Sequence, residues 1–452
     1  MLSISYQLND DGFTLFVYGQ AFRQRYPLEI WDSFPHKAAY LSELLFVSLI
    51  SLSYLSRKKE IHFAMPEPRF LQDYTGWLNK DLPALTDHIW YEPTWFVRRH
   101  FRKVRYHFDS PSLACSDYQL TDENKVVLPF SLGADSLTSL AIAREAELSP
   151  IGVFVTDPSR PADTLAKRAF LEQLEENEGF KTYTIEDELA QLLEPGLWRQ
   201  PETNLTVALT FPRMCLLALP FAYHFGARYI VPGVERDYDV QVHLKKGHAT
   251  AHVEWFRSLR GLLEMDRVIS AWSGGFCRVT SLIYPLHDAA KFSILHQGHP
   301  ELAMYQLTCD NALDSSDYGR WCHRCSACAH NYLYLVAMGF SPEEYEFQES
   351  MFSRSKRKFF DLFSQKNKQS SFFFEQEILC FLLAKQRGQQ GWMVDYFTKH
   401  FLCEASTREK ELRERYLSIV QAPENPLPLY QKATDAAERL LQQTHPNELW
   451  SA

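Results

Sequence analysis

Apolar and polar positions divide the chain into three stretches. Over residues 1 to about 120, short alternating runs mix with one long apolar run. FTLFVYGQAF (Phe13–Phe22) alternates loosely and predicts a strand. LLFVSLISLSYL (Leu44–Leu55) is the longest apolar run. It is too short to span a bilayer and is broken by serines, so a buried helix around Leu41 to Leu55 is expected. TWFVRRHFRKVRYHF (Thr94–Phe108) interleaves aromatic rings with Arg98, Arg99, Arg102, Lys103 and Arg105. It reads either as a strand facing phosphate or as a solvated edge strand whose charges discourage pairing with other chains.

From about residue 121 to 340 the pattern becomes strand, loop, helix, repeated. KVVLPFS (Lys125–Ser131), IGVFVT (Ile151–Thr156), KTYTIE (Lys181–Glu186) and RYIVPG (Arg228–Gly233) are the strand runs. Helical segments follow from Asp135, over Pro161 to Glu176, and over Leu205 to Phe225, the last interrupted by Pro212 and Pro220. Apolar, β-branched strands alternating with helices predict an α/β fold: a Rossmann-like parallel sheet covered on both faces. Ligands of such sheets sit beyond the carboxyl ends of the strands. Residues 341 to 452 read as a helical region. Its basic run, Arg354 to Lys358, precedes pairs and triples of phenylalanine and fits a solvated face over a buried aromatic one. The expected organisation is an α+β accessory region over 1–120, the α/β domain over 121–340 and helices over 341–452.

Composition narrows the chemistry. The apolar and charged fractions, 46% and 23%, are those of an ordinary globular protein, and the net charge of −9 disfavours a generic, salt-driven nucleic-acid binder. The opening MLSISYQLNDDGF has neither the basic nor the apolar part of a secretory signal. A cytoplasmic, reducing location and no membrane span are therefore expected, with cysteines acting as thiols or metal ligands.

Two local features carry chemistry. In LPFSLGADSLTSLAIA (Leu128–Ala143), a strand ends at Ser131, small residues Gly133 and Ala134 make a turn, and Asp135 and Ser136 open a helix. Small residues let backbone N–H groups approach phosphate oxygens, and the helix N-terminus adds unpaired donors and partial positive charge. The hydroxyls of Ser131 and Ser136 can donate to the same oxygens, and Asp135 can cap the helix or hold Mg²⁺. A capped turn without a ligand has the same pattern. The second feature is Cys309, Cys322, Cys325 and Cys328, spaced C-x12-C-x2-C-x2-C. That spacing suits a tetrahedral Zn²⁺ site closed to water, hence structural, with His323 and His330 nearby. Such sites supply about 10–16 kcal/mol in small zinc domains. An iron–sulfur cluster or four free thiols are the alternatives. Cys115, Cys215, Cys277, Cys380 and Cys403 lack ligand spacing and read as core thiols.

Loop and cysteines, in this order, resemble the N-type ATP pyrophosphatases, the adenine nucleotide alpha hydrolase-like group. Within it they resemble 7-cyano-7-deazaguanine synthase, the nitrile-forming enzyme of queuosine-precursor synthesis. The family loop S-G-G-x-D-S is matched by Ser131, Gly133, Asp135 and Ser136, with Leu132 in place of the first glycine and Ala134 at the variable position. VPGVERDY supplies Gly233, Glu235, Asp237 and Tyr238; TNLTVAL supplies Asn204; YPLHDAAKFSIL supplies Asp288, with Ala289 where a lysine is expected and Lys291 two residues on. The T-C…C-x-x-C-x-x-C ending matches as well. The similarity covers about residues 125 to 335. The family's Y-P-D-C-R segment, associated with the deazapurine, has no counterpart in DVQVHLKKGHATAHVEW after Tyr238.

The resemblance implies an ATP-dependent C–N ligase. A carboxylate, 7-carboxy-7-deazaguanine in the family, attacks the α-phosphate; ammonia or another amine then displaces AMP. It implies ATP held by Ser131, Leu132, Gly133, Ala134, Asp135, Ser136, Thr156, Asp157 and Gly233. Asp135 and Lys291 become the catalytic pair, and Asn204, Glu235, Asp237 and Asp288 the substrate end. Zn²⁺ and Mg²⁺ are the implied ions. The flanking regions resemble larger relatives from bacterial antiphage defence clusters, some of which modify a partner protein's amine. A partner encoded in the same cluster is thus expected, and a homodimer is left open. Two rivals stand: a tRNA-modifying pyrophosphatase, favoured by the basic stretches, and an inactive scaffold, permitted by Leu132.

Overall fold

Among the described residues twelve strands form, and in the N-terminal hairpin burial follows the alternation read from the sequence. A computed structural model describes residues 1–88, 93–114, 122–201, 203–243, 250–309, 320–363, 373–421, 423–424 and 426–444. The boundary expected near residue 120 lies outside the described residues.

The chain opens with β1 (Leu2–Asn9), β2 (Gly12–Val17) and β3 (Gln20–Arg25), an antiparallel meander. Phe13, Leu15 and Val17 alternate inward. Tyr18 and Gly19, at φ 51 and 75, make the two-residue hairpin turn whose twist matches the strands. β4 (Glu60–Pro66) and β5 (Arg105–Ser110) lie parallel beyond β1. β6 (Asp122–Pro129), β7 (Ser149–Val155), β8 (Thr182–Asp187) and β9 (Ala227–Ile230) form the parallel part, and β10 (Gln241–His243) and β11 (Thr250–His252) a separate ribbon. β12 (Arg278–Val279) closes the parallel edge against β9.

Ten strands make one mostly parallel sheet, ordered β12-β9-β6-β7-β8-β3-β2-β1-β4-β5. The accessory strands join it through β3, antiparallel to β8, with Gln24 opposite Asp187 and Arg25 opposite Glu186. Both faces are covered. Val126, Leu128 and Phe130 enter one apolar cluster, while Val127 between them enters the other. The first cluster also holds Leu379, Leu382, Ala436 and Leu440. The C-terminal helices Phe374–Gln386 and Tyr430–Thr444 therefore pack on the same layer as the helix Ala134–Glu145. Where one buried helix is expected around Leu41 to Leu55, two form, Lys37–Leu49 and Leu52–Leu55, and Ala39 to Leu49 are all buried.

The segment Asn204–Phe225 is long and apolar enough to cross a membrane by length and composition, at mean hydropathy 1.6, yet 67% of its window is buried. Its helical part, Thr210–Phe225, lies against β6, β9 and the Lys37–Leu49 helix, so its apolar surface is spent on the sheet.

Three other expectations change. The Phe13–Phe22 run is not one strand, because the turn at Tyr18 and Gly19 splits it between β2 and β3. Thr94–Phe101 is a helix and not a strand, because Thr94, Val97 and Phe101 recur at helical spacing toward the core; only Arg105–Ser110 forms the edge strand. Cys403 is exposed at the start of a short polar helix, not a core thiol, while Cys215, Cys277 and Cys380 are buried. Cys115 lies outside the described residues.

Candidate active site and cysteine cluster

The loop after β6 reaches a cavity at the carboxyl end of the sheet. Ser131, Gly133, Ala134 and Asp135 line it, and its volume is about 500 Å³. The helix Ala134–Glu145 begins there with Gly133 as N-cap, so first-turn N–H groups point toward the cavity mouth. Leu132 takes the left-handed conformation, φ 60, that glycine adopts without strain. That conformation costs about 1–2 kcal/mol for a residue with a Cβ. The Leu132 side chain is fully buried in the apolar cluster, and its carbonyl accepts the Leu307 N–H at 2.8 Å. Leucine thus shapes the loop from behind without filling it. Ser136 is also turned inward, donating its hydroxyl to the Gly133 carbonyl at 3.0 Å.

Asp135 does not cap its helix. Its carboxylate takes the Lys291 ammonium on one oxygen and the Arg257 guanidinium, at 3.2 Å, on the other. Arg257 also binds Glu235 through both carboxylate oxygens, at 2.8 and 2.9 Å. Lys291 pairs with Asp288 and stands 3.8 Å from Glu235. Three carboxylates, with oxygens within 4.8 Å of one another, therefore share two cations. Gly233 permits this convergence: a Cβ there would lie 2.8 Å from Asp135 Cβ.

The excess negative charge sets the protonation order. Burial pushes the Asp135 carboxyl up, but Lys291 and Arg257 outweigh it and hold it below the usual carboxylate range. Burial pushes Glu235 up to about 8 against the pull of Arg257, and Asp288 is raised by burial as well. Of the three carboxyls, Glu235 is therefore the one favoured to hold a proton at neutral pH. Lys291, buried yet facing three carboxyls, stays charged.

Asp237 lies behind this cluster. One oxygen sits 2.5 Å from His287 Nδ1, and the other accepts the Asp288 N–H at 2.7 Å. Burial raises its pKa, but His287 and that N–H more than offset it. Gln376, from the C-terminal region, accepts the Ala289 N–H at 3.1 Å. Together they fix the start of the Asp288–Ser293 helix, which carries Asp288 and Lys291.

Other expected residues lie elsewhere. Thr156 and Asp157 end β7 beside a second cavity of about 310 Å³, with Arg23, Arg25 and Arg168. Asp157 there accepts the Ser159 N–H and hydroxyl at 2.9 and 2.6 Å. Asn204 opens the turn before the Thr210–Phe225 helix and does not line the Asp135 cavity. Tyr238 of the VPGVERDY segment, and Arg257 and His330, which no motif placed there, complete that cavity. Tyr238 stacks under Arg257, with the guanidinium 3.3 Å from the ring centre. His330, foreseen only near the metal, lines the cavity and pairs with buried Glu377 at 2.9 Å. No motif marks Arg257, because it follows the stretch where the family resemblance fails.

The cysteines stand behind the same wall, which Thr308, Ser326 and Asn331 expose to the cavity. All four sulfurs lie within 4.8 Å of one another, and the Cys309–Cys325 and Cys322–Cys328 pairs are each 3.8 Å apart. A tetrahedron of sulfurs around zinc at about 2.3 Å has edges of about 3.8 Å. Backbone N–H groups of Cys322, Arg324 and Cys328 point at sulfurs of Cys309, Cys322 and Cys325, at 3.5, 3.4 and 3.4 Å. Such donors favour thiolates, so the site fits a metal such as zinc. His323 is not a ligand; its Nε2 accepts the Gln348 N–H at 3.1 Å. No family model matches the sequence, and no curated protein matches it.

Proposed function

We propose that the chain is an ATP pyrophosphatase-type ligase. It joins a carboxylate, of the 7-carboxy-7-deazaguanine kind, to a nitrogen nucleophile through an acyl-adenylate. The observation that carries this reading is the convergence, in one cavity, of a helix-opening loop and the Asp135–Lys291–Arg257–Glu235 cluster. The loop offers N–H donors to phosphate, and the cluster offers countercharges beside it.

In this reading the substrate carboxylate oxygen attacks the α-phosphorus of ATP. An acyl–O–P bond forms, the bond from Pα to the bridging oxygen breaks, and pyrophosphate leaves. An amine nitrogen then attacks the acyl carbon, AMP departs and the amine loses a proton. Loop donors orient the triphosphate, and Lys291 and Arg257 oppose the charge that develops on it. Asp135, Glu235 and Asp288 are the residues that would hold Mg²⁺, since their oxygens lie within 4.8 Å of one another. That ion supplies charge neutralisation for phosphate oxygens. Cys309, Cys322, Cys325 and Cys328 hold Zn²⁺ as a structural ion. The acceptor is ammonia or a partner protein's amine, in keeping with the resemblance to antiphage defence relatives.

Incubation with ATP, Mg²⁺ and 7-carboxy-7-deazaguanine is expected to release AMP and pyrophosphate, and Asp135→Ala to abolish the release. ADP as product, or full activity in the variant, overturns the proposal.

A further inference from the structure

The N-terminal region carries a face that the ligase reading does not use. The helix Thr94–Phe101 turns Thr94 and Val97 inward and leaves Trp95 and Phe96 65% and 52% exposed. From Thr94 to Phe108 the sequence has five arginines or lysines and no acidic residue. Arg99, Arg102 and Lys103 are exposed, and among the described residues no ion pair engages them. Next to this helix lies a slot of about 320 Å³ walled by Tyr54, Phe96 and His100, with Arg57 and Lys59 at its rim. Tyr54 and His100 meet edge to face at 5.2 Å, which holds the slot's inner wall. Arg57 is anchored by a neutral partner, donating to Gln200 Oε1 at 2.8 and 3.1 Å, so its charge is not cancelled. Beyond Gln200 the exposed ring of Tyr18 meets Trp198, 6.0 Å between centres.

We propose that this face binds single-stranded nucleic acid. Exposed rings give bases a stacking surface, the slot admits one unstacked base, and the uncompensated cations track phosphates. The net charge of −9 disfavours binding over the whole surface but leaves this local face basic. At physiological ionic strength a charge is felt over about 8 Å, so the local cations decide the encounter. An acidic protein segment would use the same cations but gains little from flat, solvent-facing rings. The inference stands independently of the ATP chemistry.

Fluorescence anisotropy with labelled oligo-dT and oligo-U of about 20 nucleotides tests it. Both are expected to bind more tightly than a duplex of the same length. The double variant Trp95→Ala/Phe96→Ala is expected to weaken binding by about tenfold while keeping its salt dependence. Arg99→Ala/Arg102→Ala/Lys103→Ala is expected to flatten the slope of log K against log salt by about 2. Thermal melts matching the unaltered chain establish that both variants are folded. No binding at low salt, or binding that neither variant changes, overturns the proposal. So does poly-glutamate competing at equal affinity, which assigns the face to an acidic protein.

Discussion

The cysteine cluster and the carboxylate cluster share a wall of one cavity, yet they are built in opposite ways. The cysteines come from one segment of about twenty residues, and backbone N–H groups turn toward three of the four sulfurs. Four sulfurs leave no position open. Asp135, Glu235, Arg257, Asp288 and Lys291 come from four separate segments, balance their charge only when one carboxyl holds a proton, and open onto the cavity. A closed site of four ligands fits a structural ion. An open cluster whose proton a cation can displace is suited to take a cation or a substrate, and its assembly needs the whole fold.

That difference can be broken from either side. The largest effect is expected from the closed site. Cys328→Ser, or zinc removal by a chelator, should cost several kcal/mol and lower the melting temperature by about 5 °C or more. Elemental analysis should find about one zinc per unaltered chain, and none in the variant. A variant that melts normally would deny the cluster its structural role. Next comes the open site. Lys291→Met leaves three buried carboxyls facing one guanidinium and should destabilise by about 3 kcal/mol. The penalty should grow as pH rises through 8, because the carboxyl pushed up to about 8 then ionises with one countercharge fewer. Urea melts at two pH values measure this.

A smaller effect follows from the proton that burial favours on Glu235. A divalent cation entering the cluster must displace it. Below pH 8 the affinity for Mg²⁺–ATP should rise with pH, by at most about tenfold per unit, and level off above. Calorimetry in buffers of different ionisation enthalpy should register about one proton released at pH 7 and none at pH 9. Uptake of protons would contradict the charge count. The smallest effect is expected at Leu132→Gly. Relief of the left-handed strain returns about 1 kcal/mol, while loss of a buried leucine costs about 2–3 kcal/mol. The net loss should be modest and turnover retained, since the backbone and not the side chain faces the cavity. Loss of turnover at unchanged stability would assign the side chain a role in the site.

The same contrast explains what could be read in advance. The sheet's parallel strands, the loop and the cysteines were legible because each is local: an apolar run, a small-residue turn, a fixed spacing. Glu235, Asp288 and Lys291 were reachable through short motifs. Arg257 was not, because its partners lie 22 and 122 residues away and nothing beside it marks a ligand. His330 was visible only as a neighbour of the cysteines; its link to Glu377 needs two helices packed together. Asp237 was read as facing substrate, but its position two residues after Glu235 turns it to the helix behind. The Thr94–Phe101 helix was misjudged because its exposed Trp95 and Phe96 blur the inward spacing of Thr94, Val97 and Phe101.

The central claim is that a carboxylate attacks the innermost phosphorus of a triphosphate held at the Ser131–Ser136 turn. Carboxylate-dependent exchange of radiolabelled pyrophosphate into ATP measures this step alone, before any amine is needed. Exchange that requires 7-carboxy-7-deazaguanine and disappears in Asp135→Ala is the predicted result. Absence of exchange while ATP is still cleaved, with label appearing only as ADP and phosphate, would contradict it.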